Sequence, residues 1–511
     1  MNLEAYMVRN VTEYLDETAA RFGSKTAFAD ENSSLTFAEL RDMSRRIGTS
    51  LLKDTVIGTP IAVCMNKTPE AIAAFMGCVY AGCAYAPVDV TMPEKRISLI
   101  LSTLDSGIVI ADEDGKARLD NIGFEGKVLL VSELRQAEAD EKALAAIRED
   151  LTDVDPVYII FTSGSTGVPK GVVLSHRAVI DLAEWISEAL HFDETTVFGN
   201  QTPFYFDASV KDIYSTLRNG ATMHIIPQKL FAFPTQLFHY LNEKKVNTIL
   251  WATSAICMAA NEKAFEKETP QYLRMITFAG ETMPVKQFNF WKSKVPNATY
   301  VNLYGPTEAA VDSIYYVVDR EFADDEALPI GRPCRNVGIL ILKGDEPVKG
   351  QETGEICIRG TALANGYYNN PEKTASVFVQ NPLQKAYPEL IYRTGDMGWY
   401  NERGEIMFAA REDDQVKHRG YRIELGEIET ALSSLDGIER CCCLFNKEKD
   451  RIVFIYKGSL DRKQIMLELG KLLPKYMWPN DYHQIEEFPF NLNGKIDKVR
   501  LKEEYINGTN S

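Results

Sequence analysis

Short apolar runs alternate with helix-length amphipathic stretches along most of the chain. Residues 59–65 are nearly all apolar and predict a buried strand, and the pattern over 70–81 predicts a helix after it. Further apolar runs between helical stretches cover 108–111, 157–161, 222–227, 246–251 and 275–278. Because parallel strands buried on both faces are continuous in apolar residues, this alternation predicts parallel sheets covered by helices.

The pattern changes near residues 410–415. The stretch 331–408 before it has frequent glycines and charged turns, which is typical of a β-rich region. After it, strand-like 441–445 and 452–456 precede a helix over 462–473. We therefore predict an α/β protein. Its large N-terminal domain, 1–410, has helix-covered sheets plus a β-rich subdomain, and its small C-terminal α/β domain is 411–511.

Composition narrows the class of protein. The 511 residues are 45% hydrophobic and 25% charged, as in ordinary soluble proteins, and the net charge of -16 disfavours nonspecific nucleic-acid or anionic-membrane binding. No run approaches the roughly 18 apolar residues of a membrane span, and Met1–Phe22 lacks the pattern of a signal peptide. The nine cysteines form no C-x-x-C pair, which favours reduced thiols. We expect a cytoplasmic protein without membrane insertion.

A stretch rich in glycine and hydroxyl residues, TSGSTGVPKG, follows the apolar run 157–161. Glycines let such a backbone turn with its N–H groups pointing inward, while hydroxyls and a lysine add donors and charge. The Gly-Lys-Ser/Thr of the Walker form is not there. A surface hairpin turn is the alternative, but it leaves the hydroxyls and the lysine unexplained. The candidate phosphate-binding residues are Thr162, Ser163, Gly164, Ser165, Thr166, Gly167 and Lys170.

This loop resembles that of the adenylate-forming superfamily, whose members include acyl-CoA synthetases, luciferases, nonribosomal peptide adenylation domains and D-alanine–carrier protein ligases. Further segments agree with the family in order and spacing: NLYGPTE at 302–308, YRTGD at 392–396, REDDQVK…RGYRIE at 411–424 and NGKID at 493–497. The resemblance covers nearly the whole chain. It implies an enzyme that uses ATP and Mg²⁺.

The resemblance also assigns roles in the nucleotide site. Tyr304 would stack on adenine, Asn302 would meet its amino edge, and Asp396 would accept from both ribose hydroxyls. Glu308 would hold magnesium, since a hard cation prefers carboxylate oxygen. Taken alone, each segment also fits a plain turn or solvated loop. The rest of the implied set is Thr307 at the α-phosphate, Arg411 on the ribose or phosphate side, and Gly280, Glu281 and Gly305.

The same resemblance implies two half-reactions and a mobile C-terminal domain. Lys495 would enter the active site and lie between the substrate carboxylate and the α-phosphate, where catalysis is mainly positioning and electrostatics. The domain would then rotate about Asp413. Gly420 would line a channel through which a phosphopantetheine thiol attacks the adenylate. A lysine near a terminus is otherwise usually solvent-exposed.

The segment FDASV at 206–210 resembles the place where amino-acid-activating members carry an aspartate for the substrate ammonium. A buried carboxylate needs a cation, although Asp207 could instead cap a helix. We expect an amino acid substrate and, as acceptor, a separate phosphopantetheinylated carrier protein, because no carrier domain is visible after Lys495. The alternatives are a D-alanine–carrier protein ligase specifically or an acyl-CoA ligase. A non-catalytic nucleotide-binding protein is disfavoured because the charged motif residues are present.

The resemblance finally suggests a set of residues around the substrate side chain. Lys211 and Asp312 stand out, because charges in a pocket wall need partners. They could pair and leave a small pocket for an alanine-sized substrate, or Lys211 could meet a substrate carboxylate while Asp312 orients it. D-Alanine ligases more often have cysteine where Ala279 stands, which favours a polar or acidic amino acid. The full set is Asp207, Ala208, Lys211, Leu250, Thr277, Ala279, Leu303, Val311 and Asp312.

Overall fold

The apolar runs form strands and the amphipathic stretches form helices, as the sequence pattern predicts. The computed structural model describes residues 8–164, 168–411, 415–489 and 496–508, without the side chains of 410 and 411. Predicted helix 70–81 is Pro69–Tyr80, started by the Thr68 hydroxyl, which accepts from the Ala71 amide. A threonine cap followed by proline is a favourable helix start.

The helices within the described residues are α1 Thr12–Phe22, α2 Phe37–Leu51, α3 Pro69–Tyr80, α4 Glu94–Leu104, α5 Glu113–Asn121, α6 Val131–Leu134, α7 Glu141–Asp150, α8 His176–Ala189, α9 Ala208–Asn219, α10 Pro234–Glu243, α11 Thr253–Ala259, α12 Glu262–Lys267, α13 Val285–Lys294, α14 Pro371–Val377, α15 Leu425–Ser433, α16 Arg462–Leu472 and α17 Lys498–Tyr505. Short 3₁₀ helices are Gln228–Ala232, Thr307–Ala309 and Lys475–Met477.

The strands are β1 Thr26–Ala29, β2 Ser34–Thr36, β3 Pro60–Met65, β4 Ala84–Asp89, β5 Ile108–Ala111, β6 Lys127–Leu130, β7 Pro156–Thr162, β8 Lys170–Ser175, β9 Val197–Asn200, β10 Thr222–Ile225, β11 Thr248–Ala252, β12 Met275–Ala279, β13 Thr299–Tyr304, β14 Ile314–Val317, β15 Arg332–Pro333, β16 Val337–Lys343, β17 Glu346–Pro347, β18 Gly354–Gly360, β19 Gly366–Tyr367, β20 Phe378–Gln380, β21 Leu390–Tyr400, β22 Ile406–Arg411, β23 Gln415–His418, β24 Tyr421–Glu424, β25 Ile438–Asn446, β26 Arg451–Gly458 and β27 Asp481–Gln484.

Two large sheets form the core of the first 400 residues. One has the order β15-β14-β13-β12-β11-β9-β10-β1-β2 and the other β19-β8-β7-β4-β3-β5-β6. Their central strands pair in parallel, as predicted. Toward one end of each sheet the pairing is antiparallel, β13 with β14 in the first sheet and β7 with β8 in the second, so both sheets are mixed. Short connections join these neighbours directly, which only antiparallel strands allow.

The antiparallel β7–β8 pair carries the predicted phosphate loop. Thr162 pairs with Lys170 at its mouth. On the outer side of β8, Tyr367 of β19 pairs with Val172. This pairing brings a tyrosine from the β-rich stretch next to the phosphate loop.

The β-rich stretch is a third sheet, antiparallel, with the order β17-β16-β18-β21-β20 and β22 beside β21. Beyond it, residues 415–489 and 496–508, called the C-terminal segment below, form the β23–β24 hairpin and a three-stranded sheet of β25, β26 and β27. Within the described residues, the hydrophobic clusters of this segment contain only its own side chains, and the other clusters use residues up to Phe408. This separation supports the predicted domain boundary, which we retain as a proposal.

Candidate active site

A cavity of about 130 Å³ lies where the carboxyl ends of several strands meet the C-terminal segment. Thr162 ends β7, Ala252 ends β11 and Ala279 ends β12, and all three border the cavity. Crevices outside the carboxyl ends of parallel strands are the usual ligand sites of open α/β sheets. The predicted site residues that line it are Thr162, Ser163, Asp207, Ala208, Lys211, Ala279, Gly280, Gly305, Thr307, Val311, Asp312 and Asp396.

Other predicted residues lie just behind this lining. Gly164, Lys170, Glu281 and Glu308 contact the C-terminal segment around the cavity. In the substrate set, Leu250, Thr277 and Leu303 are buried inside the nine-stranded sheet, and neighbouring Trp251 and Ala252 line the cavity instead. The predicted roles of all these residues stay predictions.

Several predicted residues lie outside the described part of the chain. They are Ser165, Thr166 and Gly167 of the phosphate loop, the hinge candidate Asp413, the catalytic candidate Lys495, and the side chain of Arg411. The backbone of Arg411 belongs to β22 and pairs with Asp396 of β21. This strand pairing places the Arg411 backbone opposite the candidate ribose ligand Asp396.

Glu308 is the charged centre of the site. It lies on the short helix after β13, has no exposed surface, and pairs with Arg422, with Nη1 and Oε2 2.7 Å apart. The Tyr367 hydroxyl donates to its other oxygen at 2.6 Å. Burial would raise the pKa of Glu308, but Arg422 and Lys170 outweigh it and lower the pKa to about 2. This carboxylate is therefore ionised at physiological pH.

An ionised carboxylate of this kind fits Mg²⁺, which is commonly held by one or two carboxylates together with substrate phosphates. Glu308 lies close enough to Lys170 of the phosphate loop for that lysine to help lower the pKa of Glu308. Across the described ranges, no cluster of three or more His, Cys, Asp or Glu side chains is arranged to hold a metal. The donor set favours a metal shared with substrate phosphates over an all-protein cage.

Asp207 precedes α9 at the N-cap position, yet its side chain makes no capping hydrogen bond. The Thr307 hydroxyl lies near this carboxylate and acts to lower its pKa. Burial raises the pKa of Asp207, and Asp312 raises it further, while Thr307 and Lys211 oppose them. The helix-cap alternative does not describe this side chain, whose carboxylate faces the cavity.

Lys211 and Asp312 form a buried ion pair in the cavity wall. Their Nζ and Oδ2 atoms are 3.0 Å apart, and the side chains are 1% and 2% exposed. Asp312 directly follows Ala310 and Val311, whose φ values of 48° and 71° are left-handed. Such values are costly for a β-branched residue, and strain of this kind concentrates at functional sites. Of the two arrangements open from the sequence, the structure has the mutual pair.

The candidate nucleotide side of the site is held by hydrogen bonds. The Tyr304 hydroxyl donates to Oδ2 of Asp396 at 2.6 Å, and Nδ2 of Asn302 donates to the Pro329 carbonyl at 2.8 Å. The Asn302 amide is thereby oriented, and the Tyr304 ring is fixed beside the Asp396 carboxylate. Glu281 accepts from the Gly420 amide at 2.7 Å, which joins this side to the C-terminal segment.

The sequence of residues 15–368 matches the family described as AMP-binding enzyme. The chain belongs to this family. The match spans the phosphate loop, Asp207 and Glu308, so the resemblance predicted from these motifs is confirmed, together with the prediction of an adenylate-forming ligase.

Curated relatives match nearly all of the chain. Tyrocidine synthase 1 of Brevibacillus parabrevis is 30% identical over 97% of this chain and 45% of its own length. D-alanine--D-alanyl carrier protein ligase of Lacticaseibacillus rhamnosus is 30% identical over 97% of this chain and 99% of its own length. The chain thus spans less than half of the synthase but almost all of the ligase.

Solved structures agree on the fold. An artificially fused adenylation–PCP di-domain NRPS, NpsA-ThdA from Klebsiella oxytoca, superposes with a TM-score of 0.82 at 22% identity over 93% of this chain and 94% of that one. An o-succinylbenzoate CoA synthetase from Bacillus subtilis gives 0.81 at 18% identity over 96% and 98%. The predicted α/β fold class is confirmed. Through the described part of the chain, no helix is long and apolar enough to cross a membrane.

Sequence reasoning missed three charged or polar groups of this site: Arg96, Tyr367 and Glu427. Arg96 on α4 pairs with Glu427 on α15, and the two side chains are 4% and 1% exposed. The available signal for Arg96 was its place one turn from Ile100, on the apolar face of an amphipathic helix. A charge on such a face needs a partner from elsewhere in the fold.

Proposed function

We propose that the chain joins an amino acid carboxylate to AMP and then passes the aminoacyl group to the phosphopantetheine thiol of a separate carrier protein. In the first step a carboxylate oxygen bonds to the α-phosphorus of ATP, and the bond to pyrophosphate breaks. In the second step the thiol sulfur bonds to the acyl carbon, loses its proton, and AMP leaves. The observation that carries the proposal is the position of Asp207. Its side chain makes no helix-capping hydrogen bond and lines the cavity together with Thr162 and Ser163 of the phosphate loop.

The site offers matched groups for the first step. Asp207 would pair with the substrate ammonium, since a buried carboxylate is stabilised by a cation. Thr307, which acts to lower the pKa of Asp207, would lie between that ammonium and the α-phosphate. Glu308 would hold Mg²⁺, which would offset the charge of the phosphates. Lys495 is proposed, from its motif alone, to stabilise the charge that develops during transfer.

The paired state of Lys211 supports a small neutral substrate side chain. A substrate carboxylate could reach Lys211 only by displacing Asp312, which would leave that carboxylate buried without its cation. We therefore revise the preference drawn from the sequence and propose an alanine-sized amino acid. D-Alanine is the first candidate, since the D-alanine--D-alanyl carrier protein ligase spans almost the same length as this chain.

A second cavity supports an acceptor that carries a phosphate. It measures about 1150 Å³ and lies between α11, the loop after β12 and the C-terminal segment. Its basic lining residues are Lys417, Arg419, Lys447, Lys498 and Lys502. The same lining holds three acidic residues, Glu281, Glu448 and Asp450, so basic residues are in excess. A phosphopantetheine arm bears a negative phosphodiester, and this excess of positive charge suits its passage. Gly420 and Glu281 lie at the boundary between this cleft and the first cavity.

ATP–pyrophosphate exchange with a panel of L- and D-amino acids, compared with benzoate and hexanoate, tests the proposal. We expect exchange with a small amino acid and none with the acids that lack an ammonium group. Asp207→Asn should strongly reduce exchange with the amino acid. Asp461→Asn is the matched control, because Asp461 caps α16 with its side chain and asparagine keeps that role. Exchange supported by benzoate or hexanoate would favour an acyl-CoA ligase instead.

A further inference from the structure

Charged side chains of the C-terminal segment occupy the groups proposed to bind magnesium and phosphates. Arg422 pairs with Glu308 at 2.7 Å. Glu427 accepts from the Gly164 amide of the phosphate loop at 3.2 Å. The other oxygen of Glu427 pairs with Arg96.

Two more contacts extend this pattern around the loop. Lys170 faces Glu424, with Nζ and Oε1 3.5 Å apart. The Ser163 hydroxyl donates to the backbone carbonyl of Arg422 at 2.9 Å. Each contact uses a group of the large domain that a phosphate oxygen or a metal would otherwise engage.

The signs of the charges are the informative feature. A cation, Arg422, stands at the carboxylate proposed for Mg²⁺, and two carboxylates, Glu424 and Glu427, stand at the amide and lysine proposed for phosphate oxygens. The arrangement has a positive centre flanked by negative groups, as magnesium pyrophosphate does. Desolvated charges on both sides are thereby neutralised in the docked state.

We infer that Arg422, Glu424 and Glu427 imitate magnesium pyrophosphate, so that this product and the docked C-terminal segment compete for one set of groups. The inference rests on the proposed function, because pyrophosphate is its first product. Arg96 joins the set as a phosphate ligand. In the docked state it is 4% exposed and paired with Glu427, and it would lose that anion if the segment moved away and no phosphate replaced Glu427.

Two consequences follow. The C-terminal segment reaches this position only after pyrophosphate has left, so adenylate formation comes before docking. Once docked, the segment blocks rebinding of pyrophosphate and so suppresses reversal of the first step. In equilibrium terms, the apparent dissociation constant of pyrophosphate is its intrinsic value divided by the fraction of undocked molecules.

Hydrogen exchange on the unmodified protein tests the competition without any mutation. The Gly420 amide, which donates to Glu281, reports the docked state. Adding magnesium pyrophosphate should raise its exchange rate several-fold, while amides of the β25–β26 pair within the segment stay protected. Unchanged exchange at Gly420 under saturating pyrophosphate would overturn the inference.

Calorimetric titration with magnesium pyrophosphate gives the second test. Glu427→Gln removes a competitor but no proposed pyrophosphate ligand, so affinity should rise about tenfold if most molecules are docked. Glu439→Gln is the matched control, since Glu439 is an exposed residue of β25 that pairs with Lys457 of β26, within the segment itself. Equal affinities in the two variants would contradict the competition.

The failure of this inference can be told from the failure of the proposed function. If no amino acid supports exchange of pyrophosphate with ATP, but pyrophosphate still deprotects Gly420, the competition stands and the proposed substrate is wrong. If exchange proceeds and neither Gly420 protection nor the Glu427→Gln affinity changes, the competition is wrong and the proposed function stands.

Discussion

Glu308 and Arg422, 114 positions apart in sequence, form an ion pair of 2.7 Å that joins the candidate metal ligand to the C-terminal segment. Glu308 has no exposed surface, and the Arg422 side chain is 18% exposed. The pair therefore belongs to a single docked arrangement of the chain. Arg422 and a metal ion cannot both bind Glu308. The ion pair and the metal-bound form of Glu308 therefore belong to different steps of the proposed reaction.

Arg422→Ala should separate the two half-reactions. It leaves Glu308 available to magnesium and removes a buried contact of the docked state, and breaking such a pair is strongly unfavourable. We expect carrier loading to fall about tenfold or more while ATP–pyrophosphate exchange falls much less. Both rates are measured on one preparation. Arg462→Ala on α16 is the control, and equal losses in both rates for Arg422→Ala would contradict the separation.

Gly420→Ala should disfavour the same docked arrangement by a steric clash. Gly420 has φ +82°, and a Cβ there would lie 2.9 Å from the Cβ of Ala252 and 3.1 Å from Oγ of Ser254. A left-handed backbone alone costs a residue with a Cβ roughly 1–2 kcal/mol. Carrier loading should therefore fall about tenfold or more, with exchange retained.

A glycine in open space provides the control for that variant. Gly344 has φ +65°, and a Cβ added there would meet no atom of the described residues within 4 Å, so Gly344→Ala carries the backbone cost without the clash. It should leave both half-reactions unchanged. If Gly420→Ala behaved like Gly344→Ala, close docking of Gly420 on Ala252 would not matter for transfer.

Much of the fold could be predicted because its signals are local. The apolar run before the phosphate loop becomes β7, and the run at 452–456 lies within β26, since periodicity is set by the strand itself. The phosphate loop, Asp207 and Glu308 were found because each belongs to an ordered motif. Their individual catalytic roles remain predictions.

The pairings between distant residues could not be predicted. Arg96 and Glu427 are 331 positions apart, and Lys211 and Asp312 are 101 apart. A charge in an apolar pattern indicates that a partner exists, but its identity depends on how sheets and domains pack. The same reason explains why the sequence alone left two arrangements open for Lys211.

Lys211→Met should destabilise the protein rather than change its preference among acidic substrates. It leaves Asp312 buried without its cation, and removing one partner of a buried pair costs about 3–5 kcal/mol. The double variant Lys211→Met/Asp312→Leu removes both charges and should recover most of that loss. Urea unfolding of the single and double variants measures the coupling.

The same variants test the substrate side chain. With the pair absent from the double variant, exchange should continue with alanine-sized amino acids, because no substrate group is proposed to touch Lys211. If wild type activates glutamate and both variants lose that activity, Lys211 binds a substrate carboxylate and the small neutral substrate is wrong.

The pH dependence of amino acid activation should report Asp207. Burial raises the pKa of Asp207 above the ordinary aspartate value of 3.8, so its carboxylate takes up a proton at a higher pH than an exposed aspartate does. Protonated Asp207 cannot pair with the substrate ammonium. The KM for the amino acid should therefore be lowest well above the raised pKa and should rise as pH falls through it. Exchange assays at fixed saturating ATP, from pH 8 downward, measure that KM.

Two comparisons test whether Asp207 causes this rise of the amino acid KM at low pH, called the acid limb below. Asp207→Glu keeps an ionisable group, so it should keep a pH-dependent KM, although its longer side chain will shift the curve. Asp207→Asn has nothing to titrate, so any remaining exchange should show a KM that does not change over the same range. The KM for ATP should not follow the limb in wild type, because Asp207 is proposed to contact only the amino acid and Thr307. An identical limb in Asp207→Asn would place the titrating group elsewhere.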